Sequence, residues 1–278
     1  MCLPDCTIQL AERLSRRTLL RNATVAAAAT LPAASHSPAD GSEQPPASRL
    51  SVRNIVDLTH ALGPNFPFPV PNAFNLERIS SRPIEMWNIN RWHFHEHIGT
   101  HIDAPFHCSD GDTADRIPAA KLVGPLVVID IRDRVAKNAD AELTPDDLQS
   151  WEHRHGPIPR GSVIAMCSGW DSRATDARQF FNRDDKGVFH MPGFHLEAVQ
   201  FLHERRDVIG IASDTISLDP GQTKTFPVHH YWLAKNKWGL ENIANPATIP
   251  ESAATIVVGA PKVIGATGGP CRVLALLE

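Results

Sequence analysis

The sequence predicts one mixed α/β domain, and three observations carry that prediction. Short, almost wholly apolar runs of strand length recur at residues 126–131 (LVVIDI), 162–167 and 208–213, as expected of strands buried on both faces. Helix-start signals stand between them, most clearly Thr144 followed by Pro145, Asp146 and Asp147. With 278 residues, 42% of them hydrophobic, and no internal linker in the later sequence, the chain can bury one core of substantial size.

The first 39 residues stand apart. Ser15-Arg16-Arg17-Thr18-Leu19-Leu20 resembles a twin-arginine export motif, an alanine-rich run follows over residues 23–34, and small residues lie near Ser35 and Ala39. Residues 1–39 are therefore expected to be a Tat-type signal peptide and residues 40–50 a flexible lead-in, placing the protein in the periplasm or outside the cell. The competing reading is an amphipathic or disordered basic N-terminus. Removal of residues 1–39, with four arginines and two acids, takes the formal net charge from −4 to about −6. No basic run follows, which argues against nucleic acid as a partner. No apolar stretch of about 18 residues or more supplies a spanning helix, so no membrane association is expected after processing. Cys108, Cys167 and Cys271 are an odd set without a C-x-x-C pair, and no disulfide framework follows from them. Cys108 is read as a small buried residue, although it directly follows His107.

Residues 52–58 read as a strand, and ALGPNFPFPVPNAF after them as a proline-punctuated loop. The chemistry gathers in residues 93–107, HFHEHIGTHIDAPFH, which hold five of the 14 histidines. At a period of two, His93, His95, His97, His101 and Asp103 share one face, while Phe94, Ile98, Ile102 and Ala104 take the other. Alternate side chains on a strand are roughly 6–7 Å apart. His101 and Asp103 can therefore meet at one ion, and a kink at Gly99 lets His97 join them. Pro105 turns the chain and allows His107 to fold back. Imidazole with carboxylate suits a divalent transition metal, Zn2+ or Mn2+ foremost. The alternative, a polar face whose histidines only hydrogen-bond, leaves crowded imidazoles repelling one another once protonated.

The stretch HEHIGTHIDAPFH resembles the H-x-G-T-H-x-D-x-P-x-H signature of the metal-dependent cyclase/hydrolase family, which includes bacterial-type kynurenine formamidase and isatin hydrolase. The similarity runs from about Val52 to the C-terminus. It implies a swivelling β/β/α fold for residues 51–278, a homo-oligomer (dimer or tetramer), and one or two ions. The family completes its site with a late histidine and a glutamate twelve positions on, a spacing that His229 and Glu241 meet. On that pattern His97, His101 and Asp103 hold a first ion, and Asp103 bridges to a second held by His229 and Glu241. His107 then either carries a proton to the leaving atom or ligates the second ion. The implied activity is arylformamidase-like: hydrolysis of a small amide, cyclic amide or lactone by hydroxide generated at the metal. A lyase or cyclase acting through an enolate, and an exported metal-binding protein without turnover, are the alternatives. Where the family has a W-P-G-D-like turn lining its pocket, this chain has Phe68-Pro69-Val70. Phe68 is thus a candidate pocket residue, and the loop aromatics can equally cap the core.

Further along, the helix opened by Thr144 is expected to run toward His153. The strand over residues 162–167 leads to Trp170, which either stacks on a substrate ring or packs in the core. Residues 192–194 lead into a helix through His203, and the strand over 208–213 ends at Asp214. Asp214 and Asp219 are candidates to orient metal-bound imidazoles, with turn capping as the other role for Asp219. Pro227 begins a short helix, ended by Asn236 and Gly239. Its neighbours His229 and His230 point about 100° apart, so one of the two faces the site. His230 is expected with Tyr231 and Trp232 nearer the surface. Strands over 255–258 and 272–277 close the chain, with VIGATGGP between them read as a turn.

Overall fold

A computed structural model describes residues 52–278; the expected signal peptide and lead-in over 1–50 lie outside the described residues. Strand β1 (Asn54–Asp57) is followed by a hairpin, β2 (Phe74–Ser80) and β3 (Ile89–Phe94), and then by the three-residue β4 (His101–Asp103). Next come β5 (Val123–Asp130), α1 (Arg132–Val135), β6 (Glu142–Leu143), α2 (Pro145–His155), β7 (Ser162–Cys167) and α3 (Ala177–Phe181). β8 (Gly193–Phe194), α4 (Leu196–Arg205), β9 (Val208–Ser213), α5 (Pro227–Leu233) and β10 (Trp238–Glu241) follow. The chain closes with β11 (Ala254–Gly259), β12 (Gly268–Pro270) and β13 (Arg272–Leu277).

Nine strands form one mixed sheet in the order β1-β13-β11-β5-β7-β9-β10-β4-β12. The central run β5-β7-β9-β10 is parallel, and the pairs on either side of it are antiparallel. Side chains alternate between two cores. Val127, Ile129, Ile164 and Met166 face a cluster completed by Trp151 of α2, Leu202 of α4 and Trp232 of α5. Leu126, Val128, Val163 and Ala165 face the other, where the curling sheet brings Ile256, Val258, Val273 and Ala275 over them. Both faces of the central strands are therefore dry, which is why they read as continuous apolar runs. Each such Val, Leu or Ile contributes about 1.5–3 kcal/mol on burial.

Helix α2 begins where its cap requires. The Thr144 backbone N–H donates to Asp147 at 2.7 Å, and Pro145 takes the first helical position, where no partner is needed. The single alternating strand expected over 93–103 is instead two strands in two sheets. Among the described residues β3 pairs only with β2, every one of its six residues is exposed, and Gly99, at φ +67°, turns the chain into β4 within the main sheet. Two further expectations change. Gly239 lies inside β10 rather than ending a helix, and VIGATGGP contains β12, which pairs with β4 at the sheet edge.

Candidate metal centre

Sheet register builds the floor of the site. His101 and Asp103 sit two apart on β4, and Glu241 of β10 lies directly opposite His101, with Gly239 opposite Asp103. All three side chains are buried. His229 enters from the first turn of α5. That helix starts over Asp219, which accepts the N–H groups of Val228 at 2.8 Å and His229 at 3.0 Å, and also His229 Nδ1 at 2.6 Å. First-turn N–H groups have no partner within their helix, so one carboxylate satisfies the helix start and aims the imidazole. His97 comes from the turn before β4, and His107 from the 3-10 turn Pro105–His107 after it.

These six side chains converge. His97 Nδ1 is 2.7 Å and His101 Nε2 3.3 Å from Asp103 Oδ1. His101 Nε2 is also 3.3 Å from Glu241 Oε2, while His229 Nε2 lies 3.0 Å from Glu241 Oε1 and 3.5 Å from Asp103 Oδ2. The His97 and His107 ring centroids lie 3.9 Å apart, with the rings tilted 32° to one another.

The electrostatics call for positive charge. Burial resists protonation of His101, but the Asp103 and Glu241 carboxylates outweigh it and push the imidazole up to about 10. Burial also opposes ionisation of Asp103, yet the imidazoles of His101, His229 and His97 gathered around it hold it well below the usual carboxylate range. For His229, burial is overcome by Asp103, Asp219 and Glu241, which carry it well above an ordinary histidine. His107 differs. Its ring reaches solvent, but the protein packed around it disfavours the charged form and the neighbouring His97 and His229 add to that, so its pKa lies below the usual value despite Asp103.

The donor set fits a divalent ion. Among the described residues, His101 Nε2 and Asp103 Oδ2 are buried without hydrogen-bond partners, an arrangement costly in an apolar interior unless something else binds there. Two triads have ligating atoms within 4.8 Å of one another: His97, Asp103 and His107, and His101, Asp103 and Glu241. Asp103 belongs to both, as a bridging carboxylate would. The grouping differs from the expected partition in placing His97 and His101 in different triads, and it includes His107, whose role as a ligand was one of the two expected for it.

A cavity of about 570 Å³ opens onto His97, His107, His229 and Glu241, with Phe68, Phe189, Met191, Ile216 and Phe226 among its walls. A larger groove of about 670 Å³ between α2 and α4 gathers no such cluster and is crossed by the Arg206–Glu152 ion pair. Phe68 lines the cavity and packs on His95 at 5.3 Å. His93 lies away from the cluster, paired with Glu77 on the hairpin.

Several sequence expectations are corrected. Trp170 is not a pocket residue: it is fully buried, its Nε1–H donates to the Phe180 carbonyl at 2.9 Å, and Arg173 covers its ring at 3.7 Å. Asp214 orients no imidazole and instead accepts the backbone N–H groups of Ser168 and Trp170. Cys108 is half-buried on the cavity wall, and burial pushes its thiol pKa up. His230 also borders the cavity, whereas Trp232 is fully buried with its Nε1–H on the Trp238 carbonyl. Thr267, passed over in the sequence, lies 2.9 Å from His97 Nε2.

Residues 56–220 match a family model described as putative cyclase. Isatin hydrolase of Roseibium aggregatum is 35% identical over 246 residues, spanning 80% of this chain and 91% of that protein. Kynurenine formamidase of Erythrobacter litoralis is 26% identical over 230 residues, spanning 81% and 94%. The solved structure of an isatin hydrolase bound to the product analogue thioisatinate superposes with a TM-score of 0.76 at 32% identity, covering 81% of this chain and 92% of that one.

Proposed function

This chain belongs to the cyclase family and is a metal-dependent amide hydrolase; we propose that its substrate is a cyclic amide fused to an aromatic ring, of the isatin type. The observation that carries this reading is the cavity, whose apolar and aromatic walls (Phe68, Phe189, Phe226) suit a flat ring, opening directly on the carboxylate–imidazole cluster. The higher identity to isatin hydrolase than to kynurenine formamidase supports the same choice.

We assign the ligands as His97, His101, Asp103, His229 and Glu241, and propose Zn2+ or Mn2+ in one or two positions sharing Asp103. A bound divalent ion supplies a Lewis acid that polarises the scissile carbonyl and lowers the pKa of water from 15.7 to about 7. The aromatic walls hold the ring, and the apolar lining excludes bulk water from the carbonyl. His107, on the cavity side and inclined to the neutral form, accepts a proton from the attacking water and returns it to the ring nitrogen. Water oxygen joins the carbonyl carbon, the C–N bond breaks, the new carboxyl group releases the water's second proton to solvent, and the products are a carboxylate and an aromatic amine on one molecule.

The test is kcat/KM on a panel of isatin, an N-formyl anilide and an aryl lactone. The reading expects isatin to lead by at least tenfold; an N-formyl anilide in the lead would overturn it.

Association of copies is a second proposal. The β2–β3 hairpin exposes Ile84 (91%), Met86 (74%), Trp87 (60%) and Trp92 (67%). Isolated two-stranded ribbons are marginal in water, and contiguous apolar surface marks interfaces. Light scattering should give a multiple of the chain mass; a monomer at every concentration would count against it.

A further inference from the structure

We infer that Glu96 and Thr267 are positioning residues that fix which nitrogen His97 offers to the metal centre: Nδ1, whereas His101 and His229 offer Nε2. The inference rests on the metal reading above.

Thr267 immediately precedes β12, the edge strand whose Gly268 lies opposite Asp103 of β4. Its hydroxyl donates to Glu96 Oε2, and its backbone N–H points at the same oxygen at 3.3 Å. A hydroxyl has one proton, and a carboxylate only accepts. With that proton committed to Glu96, the Thr267 oxygen acts toward His97 as an acceptor. It lies 2.9 Å from His97 Nε2, so Nε2 carries a proton; Nδ1 faces Asp103 Oδ1 at 2.7 Å and is the nitrogen left to give up its proton and offer a lone pair when an ion binds there.

The other two imidazoles are held the opposite way. His101 Nδ1 is 2.9 Å from the Gly99 carbonyl, which can only accept, and His229 Nδ1 is 2.6 Å from Asp219. Each therefore keeps its proton on Nδ1 and turns Nε2 inward. His97 reaches the centre reversed because its ring lies over bare backbone: a Cβ at Gly268 would stand 2.9 Å from His97 Cε1 and collide with the Ile102 carbonyl oxygen. Asn242 Nδ2 also donates to the Gly99 carbonyl, at 2.9 Å, steadying the group that sets His101. Partners of this outer kind are worth about 10- to 100-fold in metal affinity.

The experiment is a zinc titration of the purified protein against a chromophoric chelator, for wild type, Thr267→Val and Thr267→Ser. Thr267→Val keeps the shape, removes the hydroxyl and should weaken zinc by about 10- to 100-fold, while Thr267→Ser should stay within about threefold of wild type. Long-range proton–nitrogen correlation spectra of the zinc-loaded wild type should show His97 protonated at Nε2, and His101 and His229 at Nδ1. Unchanged affinity in Thr267→Val, or a proton on His97 Nδ1, overturns the inference alone. Wild-type protein that takes up neither zinc nor manganese overturns the metal reading and the inference with it.

Discussion

His229 Nδ1 donates to Asp219 Oδ2 at 2.6 Å, and the same carboxylate takes the first two free N–H groups of the helix that carries His229. Helix start and imidazole orientation are thus one structural decision. Asp219→Asn retains an acceptor for the helix but loses the charge. Zinc affinity should fall by about 10- to 100-fold with the fold intact. Wild-type affinity in that variant would show that Asp219 is only a cap.

His107 can be separated from the ligands by measuring metal and turnover together. As a proton carrier, His107→Ala should keep its metal and lose about 10²- to 10⁴-fold in kcat. Loss of metal in that variant would move His107 into the ligand set, a role its triad with His97 and Asp103 permits. In parallel, His229→Ala should lose metal, whereas His230→Ala, altering only the cavity rim, should keep it.

Burial raises the Asp214 carboxyl from its ordinary 3.8 to about 6, against the bonds from Ser168 and Trp170 that favour the ionised form. The folded state therefore holds a proton that the unfolded state has released. Between pH of about 4 and 6, the contribution of Asp214 to stability should fall as pH rises, and its deficit persists above that window. Asp214→Asn can accept the same two N–H groups without charge. It should be more stable than wild type at pH 7, by at most about 3 kcal/mol, and show no advantage below pH of about 4. Denaturant unfolding at both pH values decides this; an Asn variant less stable at pH 7 contradicts it.

How much of this was legible in the sequence follows from how each residue is placed. His97, His101, Asp103 and His107 were readable because local chain geometry alone brings them together. The apolar central strands were readable because burial on both faces leaves a continuous hydrophobic trace. Glu241 depended on a resemblance, since only the pairing of β10 with β4 sets it opposite His101. Thr267 had no local signal at all: it acts from 170 residues away through a single hydroxyl. The hairpin was misjudged because its exposed apolar residues lack the one-sided burial that alternation normally reports, which made β3 and β4 look like one strand. Trp170 was ambiguous because a tryptophan after a glycine turn serves a rim or a core equally well, and here the core claims it.

Export is proposed from the Arg16-Arg17 pair and the alanine-rich run behind it. Replacing both arginines by lysine should leave precursor in the cytoplasm of the bacterial host, as seen by cell fractionation. Normal periplasmic accumulation of the double variant would refute the Tat route.

The central claim is that Asp103 joins two sets of metal ligands into one catalytic centre. Metal content and isatin turnover, measured side by side on wild type and Asp103→Ala, test it most directly. Wild type should carry at least one zinc or manganese ion per chain and open the ring, and Asp103→Ala should lose both metal and turnover. An Asp103→Ala protein that is folded, loaded to the wild-type level and fully active would contradict the account.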